Sequence, residues 1–350
     1  MVSKQRRKIV KHFINLIWTV SVLACTGAVA APLSNLSAGQ TGRIEFNSIT
    51  PQSIWSYARK NTTDTKSVTV WGDLLMPKNV GGKVPAVIYS HGSTGASAAA
   101  FDVWAKELNN AGIALFVVDS YKPRGISETQ TNQDQLSPGG QIADALNALK
   151  LLATHPKIDS TRIFNMGFSR GGSIAYYTAW PMYQRPVDTA GARMAGHISV
   201  YPGVCEVRYR ADANDKATAP IFMALGTKDD IINESTCKNY MAEVAANGNN
   251  VTVKSYQGAY HGWDTLNRFG YLQNSHGAYD CNMELQMTDK PGGGVGMNAK
   301  DIKSGKSLAS YDDWNAAVKG CMQHKPMSYG GDDKQRDNLV KDVLEFIKAK

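Results

Sequence analysis

Three stretches of the sequence carry residue types that can do nucleophilic chemistry together. The first is an apolar run, Ile163-Phe164-Asn165-Met166, that ends in Gly167-Phe168-Ser169-Arg170-Gly171-Gly172 and leads into a helix-compatible segment over residues 173–180. A serine on a sharp strand-to-helix turn presents its hydroxyl, and glycines on both sides let neighbouring backbone come close. The helix behind it aims free N–H groups and its positive dipole end at the spot where an oxyanion would form. The second stretch is the apolar run 220–226 with Thr227-Lys228-Asp229-Asp230 after it. The third is the alternating run 251–256, followed by Gly258-Ala259-Tyr260-His261-Gly262-Trp263. A serine hydroxyl is too weakly acidic to attack an ester unaided and needs a base within hydrogen-bond reach. The chain order serine, acid, histidine supplies that base and a carboxylate to orient it.

Gly-Phe-Ser-Arg-Gly-Gly, Gly-x-x-Asp-Asp after a strand, and His261-Gly262-Trp263-Asp264 resemble the signature sites of the α/β-hydrolases, and more narrowly of the dienelactone hydrolase family. The resemblance covers about residues 84–263, with serine at 169 where the founding members carry cysteine. It implies the α/β-hydrolase fold, with a mostly parallel central sheet and helices on both faces. It also implies cleavage of a small-molecule ester or lactone with neither metal nor organic cofactor. The pattern Gly226-x-x-Asp229 gives Asp229 the acid's role, with Asp230 as the competitor. One oxyanion donor is the backbone N–H of Arg170; the other belongs to the loop Gly92-Ser93-Thr94, where Ser93 is the first choice. Of the seven histidines, His261 alone follows a strand downstream of a candidate acid.

The elements that must position these groups read as strands alternating with helices, the pattern of a mostly parallel sheet. Residues 43–49 and 67–75 have the alternation of antiparallel edge strands, and residues 84–90 form a continuous apolar strand of the doubly buried kind. A helix is expected over about 97–109, a strand over 113–118, and a helix over 141–154 with apolar residues three and four apart. A strand over 198–201, a helix over 234–246 and a final helix over 338–348 complete the set. Between the histidine and that last helix, residues 264–337 are loop-like in composition, too long for a structureless connection. They are expected to form an insertion walling the active-site cleft, within one domain over 31–350.

Two further cations bear on the site. The Arg170 side chain opposes the helix dipole and calls for a compensating carboxylate such as Asp119. Lys122 and Arg124, at the sheet's carboxyl edge, are candidates to grip a substrate carboxylate, the alternative being a loop-ordering ion pair.

Composition narrows the rest. The formal charge of +8 is concentrated at the start, where five basic and no acidic residues occupy positions 1–30; without them +3 remains. That is a poor nucleic-acid footprint. The same thirty residues have a basic start, an apolar stretch and small residues to Ala30, the form of a signal peptide cut after Ala30. Lipidation at Cys25 is a lesser variant. The expected location is periplasmic or secreted, with no stable membrane insertion of the mature chain. Cys205, Cys237, Cys281 and Cys321 then remain, an even count that suits two disulfides in an oxidising compartment. Of three connectivities, Cys205–Cys237 and Cys281–Cys321 are favoured, since Cys205 follows a strand and Cys237 the proposed acid loop, both near one sheet edge; close zinc-ligand spacing is absent. The same triad serves peptidases and acyltransferases as well as esterases, and an exported binding protein retaining the fold is a non-catalytic alternative.

Overall fold

Two runs of residues with no polar side chain, at 86–88 and 114–118, are completely or almost completely buried. Strands of that kind need cover on both faces, and the computed structural model supplies it. It describes residues 31–350 apart from 79–80, 213–214, 267, 280 and 292–293; the expected signal segment lies outside the described residues. Residues 32–350 cluster as one compact unit.

The chain begins with strand β1 (Gly42–Pro51), a short helix α1 (Ile54–Ala58) and β2 (Thr65–Leu75). Then come β3 (Val84–Ser90), α2 (Lys106–Asn110), β4 (Ala114–Asp119), α3 (Pro138–Leu152) and β5 (Ile158–Phe168). Next are α4 (Arg170–Tyr177), α5 (Pro181–Gln184), β6 (Gly196–Val200), β7 (Val207–Arg210), β8 (Ile221–Gly226), α6 (Glu234–Ala246) and β9 (Val251–Tyr256). The C-terminal part holds β10 (Gly270–Gly277), β11 (Met283–Asp289), β12 (Val295–Asp301), β13 (Ser307–Leu308), α7 (Tyr311–Cys321), β14 (Gln323–Tyr329) and α8 (Asp333–Lys348).

Eight strands form the main sheet in the order β1-β2-β4-β3-β5-β6-β8-β9. From β4 to β9 every neighbouring pair is parallel, while β1 and β2 run antiparallel at one edge. The chain is an α/β-hydrolase in fold.

The helices follow from local sequence. Ser137 caps α3 by accepting from the Gly139 N–H, Pro138 occupies the first turn, and Ile142, Leu146 and Leu149 on one face are buried. Truncating Leu149 to alanine costs about 2–5 kcal/mol. Asp332 and Gln335 form a reciprocal capping box at the start of α8, whose Leu339, Val343 and Ile347 repeat every four residues and are buried. The helix expected over 97–109 is instead a wide π-type turn, Ala100–Ala105, that tightens into α2.

The segment whose composition reads as loop is folded. Strands β10 and β14 pair antiparallel, and β13-β12-β11-β7 form a small four-stranded sheet. Strand β7, which follows β6, pairs parallel with β11 and so joins this addition to the main body. Disulfides link Cys205 to Cys237 and Cys281 to Cys321, the second spanning 40 residues of the added segment.

Candidate active site

Strand β5 hands over to α4 at Ser169, whose backbone sits at φ 54° and ψ −120°. A non-glycine residue held there costs about 1–3 kcal/mol and persists only when its surroundings enforce it. They do so through close backbone contact. A Cβ at Gly167 would lie 1.9 Å from the Gly171 carbonyl oxygen, and one at Gly171 would lie 1.9 Å from the Ser90 carbonyl oxygen. The Ser169 N–H donates to the Val200 carbonyl at 3.0 Å, which pins the turn to β6.

Strand β8 ends at Gly226, and the turn after it carries Asp229, whose side chain is fully buried. One of its oxygens accepts from the Ile231 and Ile232 N–H groups at 2.9 Å each. The other lies 2.8 Å from His261 Nδ1, and His261 Nε2 lies 2.9 Å from Ser169 Oγ. The carboxylate can only accept, so Nδ1 carries the ring proton and Nε2 accepts from the serine hydroxyl. Asp230 points elsewhere: both its oxygens accept from the Ser328 N–H in β14, at 2.9 and 3.2 Å.

His261 is held on three sides. Its carbonyl accepts from the Gly330 N–H at 2.8 Å, its backbone bridges to Tyr329, and its ring lies 4.6 Å from that of Tyr201. The Tyr201 hydroxyl donates to Asp264, which also accepts from Trp104 Nε1 at 3.1 Å. Burial pushes the Asp264 carboxyl above its ordinary range, against the opposing pull of those two hydrogen bonds.

The loop after β3 lies against the elbow: a Cβ at Gly92 would stand 3.5 Å from that of Ser169. His91 fixes this loop, its Nε2 accepting from the Ser120 N–H at 3.0 Å and its Nδ1–H donating to the Gly92 carbonyl at 2.8 Å. Burial lowers the His91 pKa and favours this neutral form. Ser93 and Arg170 line the same cavity as Ser169. Gln133 joins them: its Nε2 donates to Ser93 Oγ at 3.0 Å, and its Oε1 accepts from Arg170 at 3.0 Å.

One expectation about the cations is corrected, and of the two readings of Arg124 the ion pair is the one found. Among the described residues no carboxylate pairs with the Arg170 side chain; it donates to Gln141 Oε1 at 2.6 Å and to the Gln133 and Leu136 carbonyls. These neutral oxygens tie the polar loop after β4, and α3, to the start of α4. Asp119 instead caps its own loop, accepting from the Tyr121 and Lys122 N–H groups at 3.0 Å each. Nor do Lys122 and Arg124 line the cavity. Arg124 uses all five of its donors, on both oxygens of Asp144, the Ser120 and Ile49 carbonyls and Thr50 Oγ1, with its side chain 5% exposed. Lys122 points to solvent, 72% exposed and 3.9 Å from Asp119.

The cavity over Ser169 measures about 500 Å³. The loops after the main-sheet strands contribute Ser169, Tyr201 and His261 to its lining, and the added segment contributes Leu272, Met327 and Tyr329. Sequence reasoning missed Gln133, which sits in a polar loop with no motif, and the wall residues. Asp264 closes the histidine motif, but its role as acceptor for Tyr201 and Trp104 depends on contacts distant in sequence. Among the described residues no group of three or more His, Cys, Asp or Glu side chains is placed to hold a metal ion.

A family model described as "Dienelactone hydrolase family" matches residues 71–279, more than half of the chain. No curated protein matches. Among solved structures, the chain is similar to the native esterase 2 of Thermogutta terrifontis at 17% identity and TM-score 0.47, covering 60% of this chain and 83% of that one. It is also similar to a protein described as a dienelactone hydrolase from Klebsiella pneumoniae, at 18% identity and TM-score 0.45, over 63% and 88% of the two chains. A dienelactone hydrolase-like promiscuous phosphotriesterase from metagenomic libraries aligns at 16% identity and TM-score 0.42, over 64% and 85%. The chain belongs to the dienelactone hydrolase family, within the α/β-hydrolases, and is a carboxylic-ester hydrolase.

Proposed function

We propose that the protein is an exported serine hydrolase that cleaves carboxylic esters or lactones through an acyl-enzyme. Ser169 Oγ attacks the carbonyl carbon while His261 Nε2 takes its proton. Asp229 keeps the imidazole in the tautomer that can accept it and stabilises the imidazolium that results. The backbone N–H groups of Ser93 and Arg170 stabilise the oxyanion. His261 then returns the proton to the leaving alcohol. A water, deprotonated by the same nitrogen, attacks the acyl carbon and releases the acid and the free serine.

The observation that carries this reading is the unbroken line Asp229–His261–Ser169, with contacts of 2.8 and 2.9 Å at a strained elbow. Export of a single domain, residues 31–350, after removal of 1–30 fits two disulfides. No described helix is long and apolar enough to cross a membrane. Residues 264–337 would then serve as the outer wall of the cleft.

The test is labelling by a fluorophosphonate probe together with p-nitrophenol release from p-nitrophenyl acetate. Ser169→Ala is expected to abolish labelling and to lower kcat by about 10⁴–10⁶-fold with the fold retained. Full labelling of the alanine variant would remove Ser169 from the mechanism.

A further inference from the structure

The cavity over Ser169 has a limb that the triad chemistry does not use. Helix α4 forms one side of it: Ser173 and Tyr177, four and eight residues after Ser169, line the same cavity. Residues four apart stack on one helix face, so this face leads from the nucleophile along the helix. At 1.5 Å per residue, Tyr177 lies about 12 Å along the axis from Ser169. Its ring stands nearer than that, because helical side chains lean toward the N-terminus.

The facing side is built from the chain after β6. A Cβ at Gly203 would stand 3.5 Å from Ser173 Oγ, which sets this loop across from the helix. In β7, Val207 and Tyr209 line the cavity, while Arg208 and Arg210 point the other way, over the Tyr240 ring of α6 at 4.4 and 5.5 Å. The Tyr209 ring meets that of Tyr177 edge-on at 5.9 Å, and Trp314 of α7 meets it edge-on at 5.8 Å. Two rings fixed by packing therefore stand at the far end of the face that begins at the nucleophile.

Resting on the reading of Ser169 as nucleophile, we propose that this limb takes the acyl group of the ester, and that the acyl group ends in an uncharged aryl ring. The acyl half belongs here because the leaving alcohol must stay beside His261 Nε2 to receive its proton, whereas the limb runs between α4 and β7. An aryl end gains edge-on contact with Tyr177 and Tyr209 at little entropic cost. An alkyl chain of equal length loses more rotamer freedom on entry. An anionic end is refused. Glu206, between Gly203 and Val207 in the chain and 4% exposed, also lines the cavity, and a carboxylate accepts hydrogen bonds but donates none.

The experiment compares kcat/KM for p-nitrophenyl esters of ω-phenylalkanoic acids of increasing tether with the acetate and with straight alkanoates of matched length. The aryl esters are expected to exceed both about tenfold at tethers of about two to five methylenes. A para-carboxylate on the ring is expected to erase that gain. Val207→Phe, which puts a ring inside the limb, is expected to lower the aryl-to-acetate ratio about tenfold. If that variant fails to fold, Tyr209→Leu is read by the same ratio. Aryl esters no better than alkanoates, a ratio unmoved by the exchange, or a para-carboxylate that keeps the gain overturns the proposal. So does a gain found instead with acetate esters of ω-phenylalkanols, which gives the limb to the alcohol. Acetate turnover that persists in Ser169→Ala takes down the serine-esterase reading itself, by a different signature.

Discussion

The carboxyl edge of the main sheet and the added segment over 264–337 meet across one cavity, and they are built on opposite principles. The sheet edge is fixed by backbone: Ser169 sits on a turn whose glycines admit carbonyl oxygens at distances no Cβ would allow. The added segment presents half-exposed strands, an edge pair β10–β14 and exposed rings, joined to the main body by the short β7–β11 ladder and restrained by a disulfide. Groups that must agree to a fraction of an ångström are carried by the rigid side. Groups that shape the space around a substrate are carried by the side that tolerates change. Adjacent aspartates divide between the two: Asp229 reaches His261, and Asp230 reaches the Ser328 N–H of β14.

That division is the first thing to break. Asp229→Asn removes the acceptor that fixes the imidazole tautomer, and kcat is expected to fall about 10³–10⁴-fold with stability little changed. Asp230→Asn is expected to cost less than about tenfold in kcat, while amide exchange in β14 speeds up. Comparable losses in kcat from both exchanges would erase the distinction.

A next, smaller effect separates ligand binding from framework among the cations. Arg124→Ala leaves the Asp144 carboxylate buried without its partner, so stability should drop by about 3–5 kcal/mol in urea melts. Kinetics at a permissive temperature should show equal effects on neutral and carboxylate-bearing esters. A selective loss on the charged ester would return Arg124 to the substrate.

How far the sequence foretold this molecule follows the same boundary. Strands β3, β4, β5, β6 and β8 announce themselves because burial on both faces demands continuous apolar runs, and the elbow because glycine spacing has a steric cause. Residues 264–337 bury only part of each strand, as at Met283, Leu285 and Met287, so the hydrophobic pattern is interrupted by polar residues such as Gln286. Their partners are also remote: β7 pairs with β11 across more than seventy residues, which no local pattern encodes. Asp119 was misjudged, and Arg124 was left between two readings, for a related reason. Both lie at the sheet's carboxyl edge, but only contacts with β1 and α3 show that the arginine is already satisfied.

The disulfide of the added segment offers a milder test. Replacing Cys281 and Cys321 by serine frees a 40-residue loop and is expected to remove about 2–4 kcal/mol of stability. Below the lowered melting point, acetate turnover should stay within about threefold of the native value, because the proposed acid and nucleophile follow strands of the main sheet. A collapse of kcat at full folding would mean that the outer wall also holds the triad, through the Gly330 and Tyr329 contacts with His261.

The smallest expected effect lies where the two regions touch. Gln133 is a neutral side chain in a polar loop, yet it bonds Ser93, Arg170 and the His276 carbonyl, and its own N–H donates to His276 Nδ1 at 3.1 Å. It therefore ties both proposed oxyanion donors to the first strand of the outer wall. Gln133→Leu keeps most of the volume and loses the amide, so kcat is expected to fall about tenfold with KM within about twofold. Ser93→Ala removes the hydroxyl that Gln133 holds and leaves the Arg170 bonds in place. If positioning of Ser93 is what matters, kcat falls comparably in this variant. Unchanged kcat there would instead assign the effect to Arg170 and the loop it fastens.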